Sequence, residues 1–181
     1  MREKMNPTHT NQKRPTIFYA YMETPIGKLL VASSEKGLVR IMFPHEEKAD
    51  LVSLLKKEYP EETLVEDPEK NLLVIKQIKE YFDGSRTVFS LPLDIRGTEF
   101  QKSVWEALKK VPYGETSSYG EIACSIGKPK AARAVGNANR KNPIPIVIPC
   151  HRIIGSDGSM TGFGGGIPLK KKLLELERHM S

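Results

Sequence analysis

A chain of 181 residues can bury a real core as one large domain or two small ones, so length excludes little. Composition excludes more: no run approaches the roughly 18 apolar residues that span a bilayer, and the opening MREKMNPTHTNQKRP is polar, without the apolar centre of a signal peptide. The 28 Lys and Arg against 22 Asp and Glu leave a net charge of +6, which suits a polyanionic partner without demanding one.

A loose leader is expected over residues 1–15 of a cytoplasmic protein. After it, IFYAYMETPIGKLLVASSEKGLVRIMF carries three short apolar-rich runs broken at Thr24 to Gly27 and at Ser34 to Gly37, the pattern of a strand meander. Between Glu46 and Tyr59, Leu51, Leu54 and Leu55 recur at helical spacing, and PEKNLLVIKQIKEYFDG repeats the pattern before Gly84. The first half thus reads as a small α+β unit over residues 16–92. The proline-bearing SLPLDIRG marks the boundary to a second domain over residues 93–181.

Thr98-Glu99-Phe100-Gln101 fits a capping box, which predicts a helix to about Lys110 with Phe100, Val104, Trp105 and Leu108 on or near its buried face. Ser118-Tyr119-Gly120-Glu121 fits a second, opening a short helix that Gly127 can end. Pro129 suits a first helical turn, and PKAARAVGNANR carries the helical pattern to Asn142-Pro143. Two helices joined by so few residues make a helix-turn-helix, or an ordinary core hairpin. On the second helix Ala131, Ala132, Ala134, Gly136 and Ala138 offer a small-residue face with Arg133 as the long cation in its midst. Such a face permits close approach to a narrow groove, or to a neighbouring helix, and offers little for major-groove readout. From Ile122 to Ser156 there is no Asp or Glu, while Lys128, Lys130, Arg133, Arg140, Lys141 and Arg152 all fall inside. That stretch is a phosphate-facing surface or a solvated basic loop.

In NPIPIVIPCHR, Ile144, Ile146 and Ile148 recur with a period of two, and Pro143, Pro145 and Pro149 remove backbone donors, so an extended segment outside any central strand is expected. Cys150 stands at its end. A thiol of ordinary pKa is mostly protonated near neutrality, so a nucleophile there needs a base. His151 is adjacent, but neighbours on an extended chain face opposite ways unless the chain turns or a water bridges them. The alternative is Cys150 as a small buried hydrophobe. In PLKKKLLELERH, Leu169, Leu173 and Glu177 form one i, i+4, i+8 line while Glu175 turns away. Glu177 is then either an edge residue in water or a buried carboxylate able to orient an imidazole. Cys124 and Cys150 are expected as free thiols, and the four scattered histidines lack ligand spacing, so neither a metal nor a cofactor is expected.

Taken together, Pro149-Cys150-His151-Arg152 after the Ile/Val/Pro run, PYGETSSYGEIA and GKPKAARAVGNANRKNP before it and the glycine-rich loop after it resemble the O6-alkylguanine-DNA alkyltransferases from about Thr98 to Glu177. TPIGKLLVASSEKGL resembles the family's N-terminal domain. The resemblance implies an α+β fold: a ribonuclease H-like N-terminal domain with a short antiparallel sheet, and a mainly helical C-terminal domain containing the helix-turn-helix. It implies a monomeric DNA repair protein that binds double-stranded DNA through the minor groove and flips O6-alkylguanine out of the duplex. The alkyl group passes irreversibly to Cys150 in one turnover, with O4-alkylthymine as a further candidate substrate.

By the same resemblance His151 removes the thiol proton through water, Glu177 holds the imidazole, and Asn142 is a hinge between the recognition helix and the active-site segment. Tyr119 supports flipping and departure of the guanine. Arg133 fills the vacated stack, Ala131, Ala132, Ala134 and Gly136 form the minor-groove face, and Lys130 and Arg140 join the DNA contact. Tyr119, Ile153, Phe163 and Gly164 line the substrate pocket, and Arg152 is structural. Where some relatives carry a lid tyrosine followed by serine, this chain has Phe163 and Gly164, which leaves the range of alkyl groups open. Three other readings compete. A lesion sensor of the same family would lack the cysteine, a cysteine hydrolase would need an oxyanion hole of which the sequence gives no sign, and a transcription factor would need a better-equipped reading helix.

Overall fold

The computed structural model describes residues 14–43 and 50–179. Most of the expected leader and residues 46–49 of the first expected helix lie outside the described residues. The meander forms as read: β1 (Thr16–Thr24), β2 (Gly27–Ser34) and β3 (Gly37–Met42) pair antiparallel. A fourth strand, β4 (Thr63–Glu66), adds to β1 in parallel and gives the order β3-β2-β1-β4. The sequence reading missed it because TLVE has no buried residue and no alternation to read.

Both faces of this sheet are covered. Ile17, Leu30, Ala32, Val39 and Met42 pack against α1 (Leu51–Glu58), which Asp50 caps, while Ala20, Leu29, Val31, Leu38 and Ile41 join a larger core shared with the second half of the chain. That two-sided burial is why β2 and β3 read as apolar runs rather than as a clean alternation. The larger core includes Ile78 and Tyr81 of α2 (Leu72–Phe82).

The outer edge of β3 joins the two halves. Leu38 N–H donates to Pro92 O and Asp94 N–H to Leu38 O, each at 2.9 Å, so SLPLDIRG runs beside the sheet as edge cover. Further along the strand, Ile41 N–H donates to Pro143 O at 3.0 Å and ties the sheet to the segment that leads into Cys150.

The C-terminal half holds α3 (Glu99–Leu108), β5 (Ser117–Ser118), α4 (Tyr119–Ser125), α5 (Ala132–Arg140), β6 (Ile153–Ile154) and α6 (Ile167–His179). Both expected capping boxes are present, with Thr98 accepting from Gln101 N–H and Ser118 from Glu121 N–H. Gly127, at φ 72°, ends the α4 region where a side chain would be strained. Pro129 does not open the next helix: Ala131 N–H closes a turn onto Lys128 O at 2.8 Å, and α5 starts after it, at Ala132. The connection is therefore longer than the couple of residues expected. Both α3 and α4 pack on α5, and Trp105 Nε1 donates to Ala138 O at 2.9 Å. Ala138 is consequently buried and leaves the exposed small-residue face to its neighbours.

The Asn142 to Pro149 segment corrects another expectation, because it is not extended. Ile146 takes φ 74°, Ile148 N–H donates to Ile144 O at 2.9 Å, and all three isoleucines are buried rather than alternating. Asn142 shapes the loop by donating Nδ2–H to Ile148 O at 2.7 Å and accepting Ile144 N–H on Oδ1 at 3.0 Å. The prolines help because they bring no N–H that a tight buried turn would leave unpaired. Among the described residues, no helix is long and apolar enough to cross a membrane.

Candidate active site

Cys150, His151 and Arg152 form one 3-10 turn, and all three are buried. The chain does turn after Pro149, and the turn is entered from a backbone at φ −80° and ψ 62°. From α6 comes Glu177, at 0% exposure, continuing the Leu173 face as the helical register predicts. Its Oε1 lies 2.7 Å from His151 Nε2 and 3.0 Å from Arg152 Nη2, and its Oε2 accepts from Arg152 Nε at 2.9 Å and from Gly114 N–H at 3.1 Å. Tyr81 reaches across from α2 and donates its hydroxyl to Oε1 at 2.8 Å. A buried carboxylate survives only with such partners. Burial alone would raise Glu177, but the bonds from His151 and Arg152 and their charges overcome it and hold the acid at about 2.

This anion fixes the imidazole tautomer. A carboxylate only accepts, so Nε2 carries the proton and Nδ1 keeps its lone pair. Burial lowers the His151 pKa against the raising effect of Glu177, so the ring is neutral at physiological pH. Nδ1 is itself buried and has no hydrogen-bond partner among the described residues, so its lone pair can take a proton. Burial also pushes the Cys150 thiol up to about 11, against lowering by the Asn142 side chain and the Lys170 charge. At pH 7 a group with that pKa is ionised to only about one part in ten thousand. At rest, therefore, the thiol is protonated and the neighbouring imidazole neutral.

Lys170, one helical turn before Leu174 on α6, is fully buried and was not picked out by the sequence reading. Its ammonium donates to Ile153 O and, at 2.8 Å, to Thr161 O. Burial depresses its pKa, and the Cys150 thiolate opposes that shift. A cation here favours the thiolate once formed. The PLKKKLLELE pattern concealed it, since one of three consecutive lysines gives no sign of facing inward. Tyr81 was missed for another reason: nothing in EYFDG says which helix an aromatic hydroxyl will meet.

Cys150 opens onto a cavity of about 180 Å³ whose walls include Met42, Phe43, Asn139, Asn142, Phe163 and Gly164. Phe163 lies between the halves, its ring centroid 5.7 Å from Phe43 and 6.4 Å from His151. Gly165 packs closely here, since a Cβ there would stand 2.5 Å from the Leu169 side chain and 3.0 Å from the Phe163 ring, whereas a Cβ at Gly164 would meet no described residue. Of the expected pocket residues, Phe163 and Gly164 line this cavity. Tyr119 and Ile153 do not: Ile153 is buried behind it, offering its carbonyl to Lys170, and Tyr119 lines an outer groove.

That groove, of about 760 Å³, runs along the outer face of α5 past Tyr119, Ala132, Arg133, Gly136, Asn137 and Arg140 to the loop at Thr161 and Gly162. Tyr119 donates its hydroxyl to Thr161 O at 3.0 Å. Lys130, Arg133, Ala134 and Arg140 are exposed, and Ala131 is partly so. Arg152 leaves this basic surface, because its guanidinium is spent on Glu177 and on Val111 O at 2.6 Å. A cleft of similar size, about 750 Å³, lies on another side between Phe89 and Tyr113, and Cys150 does not reach it.

The ribonuclease-like domain of 6-O-methylguanine DNA methyltransferase matches residues 17–95, and the DNA binding domain of the same family matches residues 99–179. The chain belongs to the 6-O-methylguanine DNA methyltransferase family. A family member from Methanosarcina acetivorans, the methylated-DNA–protein-cysteine methyltransferase, is 48% identical over 89% of this chain and 98% of its own length. The constitutive methylated-DNA–protein-cysteine methyltransferase of Bacillus subtilis is 43% identical over 89% of this chain and 95% of that one. Among solved structures of the family, that of Mycobacterium tuberculosis OGT in complex with DNA superposes with a TM-score of 0.77 at 42% identity, covering 91% of this chain and 94% of the other. The α+β architecture of a sheet-bearing N-terminal part and a helical C-terminal part is thus the family's own.

Proposed function

We propose that this protein repairs DNA by taking an alkyl group from the O6 of guanine onto Cys150, once per molecule. The observation that carries the reading is the buried Cys150–His151–Glu177 constellation, with the imidazole lone pair left free, lying next to a small cavity on the inner side of α5. The names of the Methanosarcina and Bacillus relatives support the same chemistry, and the Mycobacterium complex supports DNA as the partner. The cavity is smaller than the roughly 300–1,000 Å³ of drug-sized sites, which suits a single nucleobase.

A base inside a duplex cannot reach a buried thiol, so the nucleotide must be flipped past α5, at a cost of a few kcal/mol. The thiol proton passes through water to His151 Nδ1, and Glu177 stabilises the imidazolium that forms. Lys170 favours the thiolate. Sulfur then attacks the alkyl carbon, the carbon–O6 bond breaks, and its electron pair leaves with guanine, which takes up a proton. The resulting thioether has no base-assisted return path, so the reaction ends there.

The reading includes minor-groove binding by a monomer through the small face of α5, with Arg133 entering the vacated stack and Ala131, Ala132, Ala134 and Gly136 allowing close approach. Lys130 and Arg140 would contact phosphate, Tyr119 would sit beside the flipped nucleotide, and Asn142 would hold the loop that presents Cys150. It also includes domains divided near residue 92 and a cytoplasmic location, where a reducing pool keeps the thiol free. Incubation with duplex DNA bearing O6-methylguanine, followed by mass spectrometry of protein and DNA, tests the core of it. One methyl on the Cys150 peptide and unmodified guanine are expected; repeated turnover, or a methyl on Cys124, overturns the assignment.

A further inference from the structure

Asn139 faces inward on α5, beside Val135 and Ala138, and is 2% exposed. Its Nδ2 donates to Cys150 O at 3.4 Å, while its Oδ1 is buried and has no hydrogen-bond partner among the described residues. The amide orientation is settled chemically. A carbonyl can only accept, so the end that meets Cys150 O must be the NH₂, and the end left over must be the acceptor. An unpaired buried acceptor is destabilising, because it loses water without gaining a partner. A purely structural position could avoid that cost with an apolar residue, as Val135 and Ala138 do. Asn139 also lines the cavity onto which Cys150 opens, which is where a donor can reach it.

The ligand must then offer a donor close to the reacting cysteine. O6-alkylguanine in DNA has acceptors at N1, N3 and N7, and its exocyclic 2-amino group is the donor on the base. We propose that Asn139 Oδ1 accepts a hydrogen bond from the 2-amino group of the flipped O6-alkylguanine, making Asn139 a specificity-determining residue for this base. The inference rests on the alkyl-transfer reading above and adds a reader of base identity to it. The same side chain would link the bound base to the backbone of its acceptor cysteine, since Nδ2 is already on Cys150 O.

Single-turnover rates on duplexes carrying O6-methylguanine or O6-methylhypoxanthine, which lacks only the 2-amino group, test it. The unaltered protein is expected to prefer O6-methylguanine by roughly 10-fold or more. In Asn139→Leu the preference should fall to within about 2-fold, mainly by slowing on O6-methylguanine. No preference in the unaltered protein, or one that survives in Asn139→Leu, overturns the proposal. Should Asn139→Leu prove unfolded by circular dichroism, the side-chain amide signals of Asn139 in Cys150→Ala decide instead. They should shift differently when the two duplexes bind, and identical shifts overturn it. Failure of the underlying reading is distinguishable, because the unaltered protein would then leave Cys150 unmethylated on either duplex.

Discussion

Tyr81 and His151 share one carboxylate oxygen: the tyrosine hydroxyl lies 2.8 Å and the imidazole Nε2 2.7 Å from Glu177 Oε1. The first comes from a helix of the N-terminal half and the second from the cysteine turn, so the carboxylate of Glu177 is held in place by both parts of the chain. Hydrogen bonds to a charged group contribute about 1.5–3 kcal/mol. Tyr81→Phe should therefore lower the stability measured by urea unfolding by about that amount, while still yielding one methyl per protein. A loss under about 0.5 kcal/mol would mean that Glu177 recruits another donor without cost.

Replacing His151 separates the base from the nucleophile. General-base help is worth about 10²–10⁴-fold, so His151→Ala should slow transfer at pH 7 by at least the lower figure. Because burial holds the thiol near 11, the variant's rate should climb steadily with pH as hydroxide takes over ionisation of Cys150. An unchanged rate at neutral pH would remove His151 from the mechanism.

Stability should fall in acid in two stages whose sign follows from the shifts. Glu177 is depressed from 4.5 to about 2, so the unfolded chain binds its proton first, and the stabilisation present above 4.5 is lost as pH falls toward 2. That change amounts to roughly 3 kcal/mol. His151, buried and neutral, adds an earlier loss below its ordinary value of 6.5. Urea midpoints across this range should fall less steeply in Glu177→Gln, relative to its own neutral-pH value. Parallel curves for the two proteins would show that other groups carry the acid response.

Arg133 distinguishes a wedge from a phosphate contact. As a wedge, its loss in Arg133→Ala should slow single-turnover repair of duplex DNA even when DNA is saturating, and leave reaction with the free base O6-benzylguanine nearly untouched. A phosphate contact would weaken binding and reduce its salt dependence, and saturation would restore the rate. A normal saturated rate therefore removes the wedge.

Solvent exposure separates the two thiols in a simpler experiment. Cys124 is exposed and Cys150 is buried with its pKa raised, so iodoacetamide near neutral pH should label Cys124 much faster. Equal labelling would contradict the burial of Cys150.

What the sequence determined by itself was whatever depends on neighbours along the chain. The strand meander, the capping boxes at Thr98 and Ser118, the stop at Gly127 and the alignment of Glu177 with Leu173 all follow from short-range geometry that a few residues specify, whereas the burial of Glu177 does not. The motif around Cys150 also carried the family, because its residues are contiguous. Tertiary structure alone decided the rest. The Asn142 to Pro149 run looked extended by its period of two, yet Asn142 folds it into a buried turn through bonds that no periodicity records. Lys170 and Tyr81 carry no signal of their own along the chain, and only the docking of α6 and α2 brings them to the Ile153 carbonyl and to Glu177. The pairing of Oδ1 and Nδ2 on Asn139 likewise has no trace in GNANR. Which buried polar group meets which partner depends on how distant segments dock, and the penalty for leaving one unpaired is felt only once water has been excluded.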